Sequence, residues 1–259
     1  MGGMDLRALY DEILSDESES GRTASLAKFH EEIKKTKGYS KKILGKTKHG
    51  PVYFCGHEES EEKKDVLILG GVHPFCEAAT AVAVIQAMRE KPDCNVYAIP
   101  VVSPWAFVAP VDYRAVDAGY RAEEYRCDKY HNNVGIAPLE CRKGDNFEGD
   151  ISRLKDLGRT FDLSVECHMG FDSEREKLGK PVGNVEMHLS DVSPGFVKPL
   201  CYLLKDAADC GIALATPLFE RAPRLGHLLN ECGANIIIET DPNDLTLVQR
   251  FLDAFVKRL

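Results

Sequence analysis

Apolar and polar positions recur along this chain with two different periods, and the switches between them outline a fold. DLRALYDEIL places Leu6, Leu9, Tyr10, Ile13 and Leu14 at helical spacing, the pattern of an amphipathic helix. The acidic, serine-rich SDESESGRT that follows predicts a loop. SLAKFHEEIKK predicts a second helix with Leu26, Phe29, His30 and Ile33 on one face, where His30 is a plain helix-face histidine. KKILGKT and PVYFCGH are short β-type runs flanking KHG, a hairpin pattern. The charged EESEEKKD then reads as a solvated loop.

Downstream the periods alternate. Strands are expected over 65–70, 95–102 and 161–167, with helices over 77–90 and 150–158. Further strands fall near 184–189, 211–215 and 234–238, and the chain closes in a helix carrying Val248, Phe251, Leu252, Phe255 and Leu259 on one side. Near-continuous apolar strands alternating with helices predict an α/β class, with a mostly parallel mixed sheet flanked by helices. Regular patterning fades between 103 and 149, and a long connection inside a compact domain is usually functional. A chain of 259 residues suits one domain. An N-terminal helix and acidic loop over 1–24 would precede a main α/β domain over 25–259.

Composition narrows the function classes. At 44% hydrophobic and 29% charged residues the chain is that of an ordinary soluble globule. A net charge of −8 is opposite to the basic footprint of a nucleic-acid binder. No run reaches the roughly eighteen apolar residues of a membrane span, and MGGMDLRALYDEILSDESES has no signal-peptide pattern. Nine cysteines, an odd number without a CxxC pair, suit reduced thiols. A cytoplasmic protein without nucleic-acid or membrane partners is expected.

The chemistry gathers at strand ends. LILGGVHPFCE carries His73 just past one apolar strand, SVECHMG carries His168 past a second, and NIIIETD carries Glu239 at the end of a third. In open α/β sheets the crevice beyond the carboxyl ends of the strands collects such groups. A catalytic zinc takes three protein ligands from His, Asp, Glu and Cys and lowers the pKa of its water to about 7. His73 and Glu77, four apart at the start of a helix, suit two of those places and His168 the third. Glu239 is then available as a general base. Glu166, two residues before His168, is expected on the other sheet face or paired with a basic group, with orientation of a ligand as the alternative. The pair Gly70 and Gly71 leads into no GxGxxG or GK[ST] pattern, which argues against a nucleotide site.

YSKKILGKTKHGPVYF, VLILGGVHPFCE, FDLSVECHMG and ANIIIETDP, in that order before a terminal helix, resemble the zinc carboxypeptidase superfamily over roughly 25–259. The resemblance implies a phosphorylase/hydrolase-like architecture, zinc on His73, Glu77 and His168, and water activation by Glu239. It also implies hydrolysis of an amide bond in a peptide or an N-acyl amino acid. Three departures stand beside it. The family's His-x-x-Glu spacing is lengthened here by one residue, so that Cys76 occupies the expected ligand position and either Glu77 or Cys76 binds. The family's adjacent Asn-Arg pair is absent, leaving Arg142 and Asn146 as candidates for the substrate carboxylate and Arg126 for the scissile carbonyl. No tyrosine follows Tyr202, so the tyrosine that many carboxypeptidases swing over the substrate has no counterpart; His227 is the candidate hydrogen-bond donor. The related desuccinylase and aspartoacylase branch usually adds a β domain after the glutamate, whereas only 20 residues follow Glu239. A third possibility is a degenerate, non-catalytic binder of a peptide or small ligand.

Overall fold

In the computed structural model, residues 5–15, 18–47, 49–71, 78–90, 92–102, 104–108, 159–169, 185–192, 234–240 and 246–256 are described. Helices α1 (Leu6–Ser15) and α2 (Glu19–Lys35) precede the hairpin β1 (Ser40–Thr47) and β2 (Gly50–His57). Then come β3 (Asp65–Leu69), α3 (Ala78–Glu90), β4 (Asn95–Ile99) and α4 (Pro104–Val108). After these follow β5 (Leu163–Met169), β6 (Val185–Val192), β7 (Ala234–Thr240) and α5 (Leu247–Val256). The seven described strands form one sheet in the order β1-β2-β4-β3-β5-β7-β6. Strands β4, β3, β5 and β7 run parallel, while β2 against β4 and β6 against β7 are antiparallel.

Each element has a local cause. Asp5 Oδ1 accepts the Arg7 and Ala8 amides at 2.9 and 3.4 Å and opens α1. Ser18, in extended conformation, accepts the Gly21 amide at 3.1 Å. This cap starts α2 at Glu19, so residues 19–23 of the expected loop are helical. Positions 24 and 25 lie within α2, and Leu6 and Leu9 of α1 join the main core. β4 ends at Ile99 because Pro100 has no amide to donate. β5 begins at Leu163, two residues later than its pattern suggested: the Asp162 carboxylate accepts the Asp65 amide at 2.9 Å, and Phe161 packs edge-on to Tyr97. α4 has no counterpart among the expected elements. Its five residues are too few to show a period, yet its Phe107 packs on Phe29 of α2 with ring centroids 5.7 Å apart. The expected helix over 150–158 and strand over 211–215 lie outside the described residues.

The sheet divides its residues by parity. Val66 and Ile68, Val96 and Ala98, Leu163, Val165 and Cys167, and Ile238 belong to one cluster with Leu9, Leu26, Phe29, Ile85, Phe107, Phe251 and Leu252 from the helices. All five described helices therefore contribute to the core on a single face. On the other face Leu67, Leu69 and Ile99 are also fully buried. Burial on both faces is what a parallel sheet requires. Cys55, Cys94 and Cys167 are buried, and burial pushes the Cys55 and Cys94 thiols up to about 12, so both behave as small apolar residues.

His30 is not a surface residue. It is 6% exposed, stands edge-on to Tyr53 at 5.5 Å, and packs so closely on Gly50 that a Cβ there would lie 2.6 Å from Cε1. Desolvation, with the nearby Lys34 charge, lowers its pKa to about 4.

Candidate active site

The carboxyl ends of β3, β5 and β7 lie side by side at one rim. β3 leaves the sheet through two glycines. The Gly70 amide donates to the Ile99 carbonyl at 3.1 Å, its own carbonyl accepts the Val102 amide at 2.9 Å, and the Gly71 amide donates to Thr80 Oγ1 at 2.9 Å. A Cβ on Gly70 would meet the Thr80 and Pro100 carbonyl oxygens at 3.0 and 3.1 Å, and Gly71 sits at φ +57°. The close approach of α3, β4 and this turn fixes where the chain exits toward His73.

On β5 and β7, His168 is the register partner of Glu239. Parallel neighbours in register occupy one face of the sheet, so two residues that are 71 apart in sequence share one point of the rim. The pair one step earlier, Cys167 and Ile238, is in the helix-covered core. By strand parity His168 and Glu239 therefore take positions on the opposite face. The same face carries Ser164 and Glu166, both fully buried, and Asn235. β6 continues the row: Glu186 pairs with Glu239, His188 with Ile237 and Ser190 with Asn235.

Two features differ from the sequence-based expectation. Glu166 is on the same face as His168, because two residues of a strand make one full pleat, a parity already visible in VECHM. Glu186 escaped notice as the neighbour of Glu239, since that register is set by pairing of segments far apart in sequence. His73, Glu77, Cys76, Arg126, Arg142, Asn146 and His227 lie outside the described residues. Among the described residues no group of three or more His, Cys, Asp or Glu side chains forms a metal cluster. Of the residue types a metal centre draws on, the described strands bring one histidine, His168 on β5, into register with one glutamate, Glu239 on β7.

The opposite rim is a cleft of about 740 Å³ lined by residues including Glu58, Asp65, Asn95, Arg159 and Asp162. Its charges serve one another. Arg159 pairs with Asp65 at 3.0 Å and Glu58 at 2.7 Å, donates to Tyr97 Oη, and lies 4.6 Å above the Tyr97 ring. Asn95 donates to Asp65 at 2.8 Å and accepts the Glu59 amide at 2.7 Å. Lying at the amino ends of the strands, this cleft is a structural seam.

The fold has known counterparts. A metallo-carboxypeptidase from Burkholderia cenocepacia superposes with a TM-score of 0.54 at 14% identity, over 91% of this chain and 69% of that one. A protein from Shewanella amazonensis SB2B assigned as a metallopeptidase gives 0.53 at 15% identity, over 90% of this chain and 91% of the other. The chain carries the metallocarboxypeptidase fold. A metallo-carboxypeptidase from Pseudomonas aeruginosa, solved with (2-guanidinoethylmercapto)succinic acid, shares that fold with a TM-score of 0.51 at 13% identity, over 91% of this chain and 67% of the other. No family model and no curated protein matches the chain by sequence. The register of His168 with Glu239 makes the carboxyl rim of β3, β5 and β7 the candidate centre. No helix among the described residues is long and apolar enough to cross a membrane.

Proposed function

We propose that this chain is a zinc-dependent hydrolase of carboxypeptidase type that cleaves an amide bond. The reading is supported above all by the register pairing of His168 with Glu239 at the carboxyl ends of adjacent parallel strands, beside the glycine exit of β3. His73, Glu77 and His168 would hold the metal. Bound there, zinc supplies a Lewis acid and a water acidic enough to ionise near neutrality. Glu239 takes the proton from the attacking water and passes it to the leaving nitrogen. Arg126 stabilises charge developing on the carbonyl oxygen, Arg142 and Asn146 hold the substrate carboxylate, and His227 donates a hydrogen bond to the substrate.

Metal analysis and a substrate panel test this together. Purified protein should carry near-stoichiometric zinc that is lost in both His73→Ala and His168→Ala. Peptides with free C-termini should be hydrolysed, with Glu239→Gln as the inactive control. Turnover of N-acyl amino acids alone would move the activity to deacylation. Zinc-free protein that binds peptides without cleaving them would overturn the enzyme reading.

A further inference from the structure

Glu166 is a carboxylate with no exposed surface, set in the middle of a sheet. Its register partners on either side are apolar, Leu69 of β3 and Ile237 of β7. Within β5 its same-face neighbours are Ser164 and His168. Taking a carboxylate out of water costs several kcal/mol, by rough general estimates, and packed hydrophobic residues of similar volume generally serve stability as well or better. A carboxyl group in this position is therefore explained better by what it does than by what it stabilises. It stands one pleat below the candidate ligand His168, and Leu69 across from it is the last residue of β3.

We infer that Glu166 is a positioning residue for the metal site, its carboxylate accepting the ring N–H of His168 on the nitrogen not used for the metal. Such a hydrogen bond selects one imidazole tautomer, fixes the ring and raises its basicity as a ligand. The inference rests on the proposed zinc site but concerns a residue outside the ligand set. It separates two roles on one strand face: His168 binds, and Glu166 aims it.

The test compares wild type with Glu166→Gln and Glu166→Asp, each zinc-free and zinc-loaded. Zinc affinity, measured by competition with a chromophoric chelator, should fall about 10- to 100-fold in Glu166→Gln. It should fall less in Glu166→Asp, which keeps the charge on a shorter arm. The absorption bands of the cobalt-substituted protein should shift in Glu166→Gln and move back toward wild type in Glu166→Asp. The zinc-free Glu166→Gln protein should melt no lower than zinc-free wild type, so that only the zinc-induced rise in Tm shrinks. Unchanged zinc affinity with an unchanged cobalt spectrum would overturn the inference and leave the proposed site standing. Failure of zinc-free Glu166→Gln to fold, or equal destabilisation with and without metal, would assign Glu166 a purely structural role and also overturn it. Zinc binding in wild type that does not depend on His73 and His168 would instead remove the proposed site itself.

Discussion

The two rims of the sheet are built from the same kinds of polar residue put to opposite uses. At the amino rim Asp65, Asn95, Arg159 and Asp162 are consumed by one another, each within 3.6 Å of a partner from another segment. At the carboxyl rim the chain invests in backbone shape instead, with Gly70 and Gly71 wedged against α3 and β4 and with His168 and Glu239 brought into register. A cleft alone does not make a site. The amino rim has a described hollow and many charges, yet its groups are already satisfied, whereas the carboxyl rim brings His168 and Glu239 into register beside the glycine exit of β3.

The sharpest way to break this contrast is Glu239→Gln. If the carboxyl rim is catalytic, kcat should fall about 10²- to 10⁴-fold with zinc content and melting temperature retained, measured by steady-state kinetics beside metal analysis. Parallel loss of fold would mean that Glu239 is a structural strand residue. Gly70→Ala probes the shape of the same rim. With backbone oxygens 3.0 and 3.1 Å from the new methyl, it should destabilise the protein by roughly 1–3 kcal/mol in urea unfolding. A neutral result would show that α3 yields easily there. Arg159→Ala tests the other side of the contrast and should have the smallest effect. Its partly exposed pairs and ring contact are worth about 1 kcal/mol, and kcat/KM should stay within twofold of wild type, by a rough allowance for a group far from the reacting atoms. A large activity loss in that variant would move function to the amino rim.

Much of this contrast could be read from the chain. The apolar runs VLIL, NVYAI and NIIIE mark the parallel core because central strands have no solvent face to encode, and a histidine or glutamate directly after such a run stands out. Position 166 was equally legible, since parity in VECHM places it with His168. What the pattern did not carry is long-range pairing. The register that sets Glu186 opposite Glu239 depends on β6 finding β7 across more than 40 residues. The start of α2 was hidden for a different reason: ESGRT is polar and resembles a loop, and only the Ser18 cap reveals that the helix is already under way.

The packing of His30 on Gly50 gives the molecule a directional weakness to acid. A histidine held neutral in the fold at about 4, against about 6.5 in the unfolded chain, is protonated more readily once the chain opens. Its contribution is complete above pH ~6.5, is lost as pH falls through that value toward ~4, and changes little below; the total is on the order of 3 kcal/mol. Urea unfolding at pH 7.5 and pH 5 should show the drop, and His30→Gln should flatten it. Mild acid should thus weaken the contact of α2 with the β1–β2 hairpin, where His30 packs on Tyr53 and Gly50.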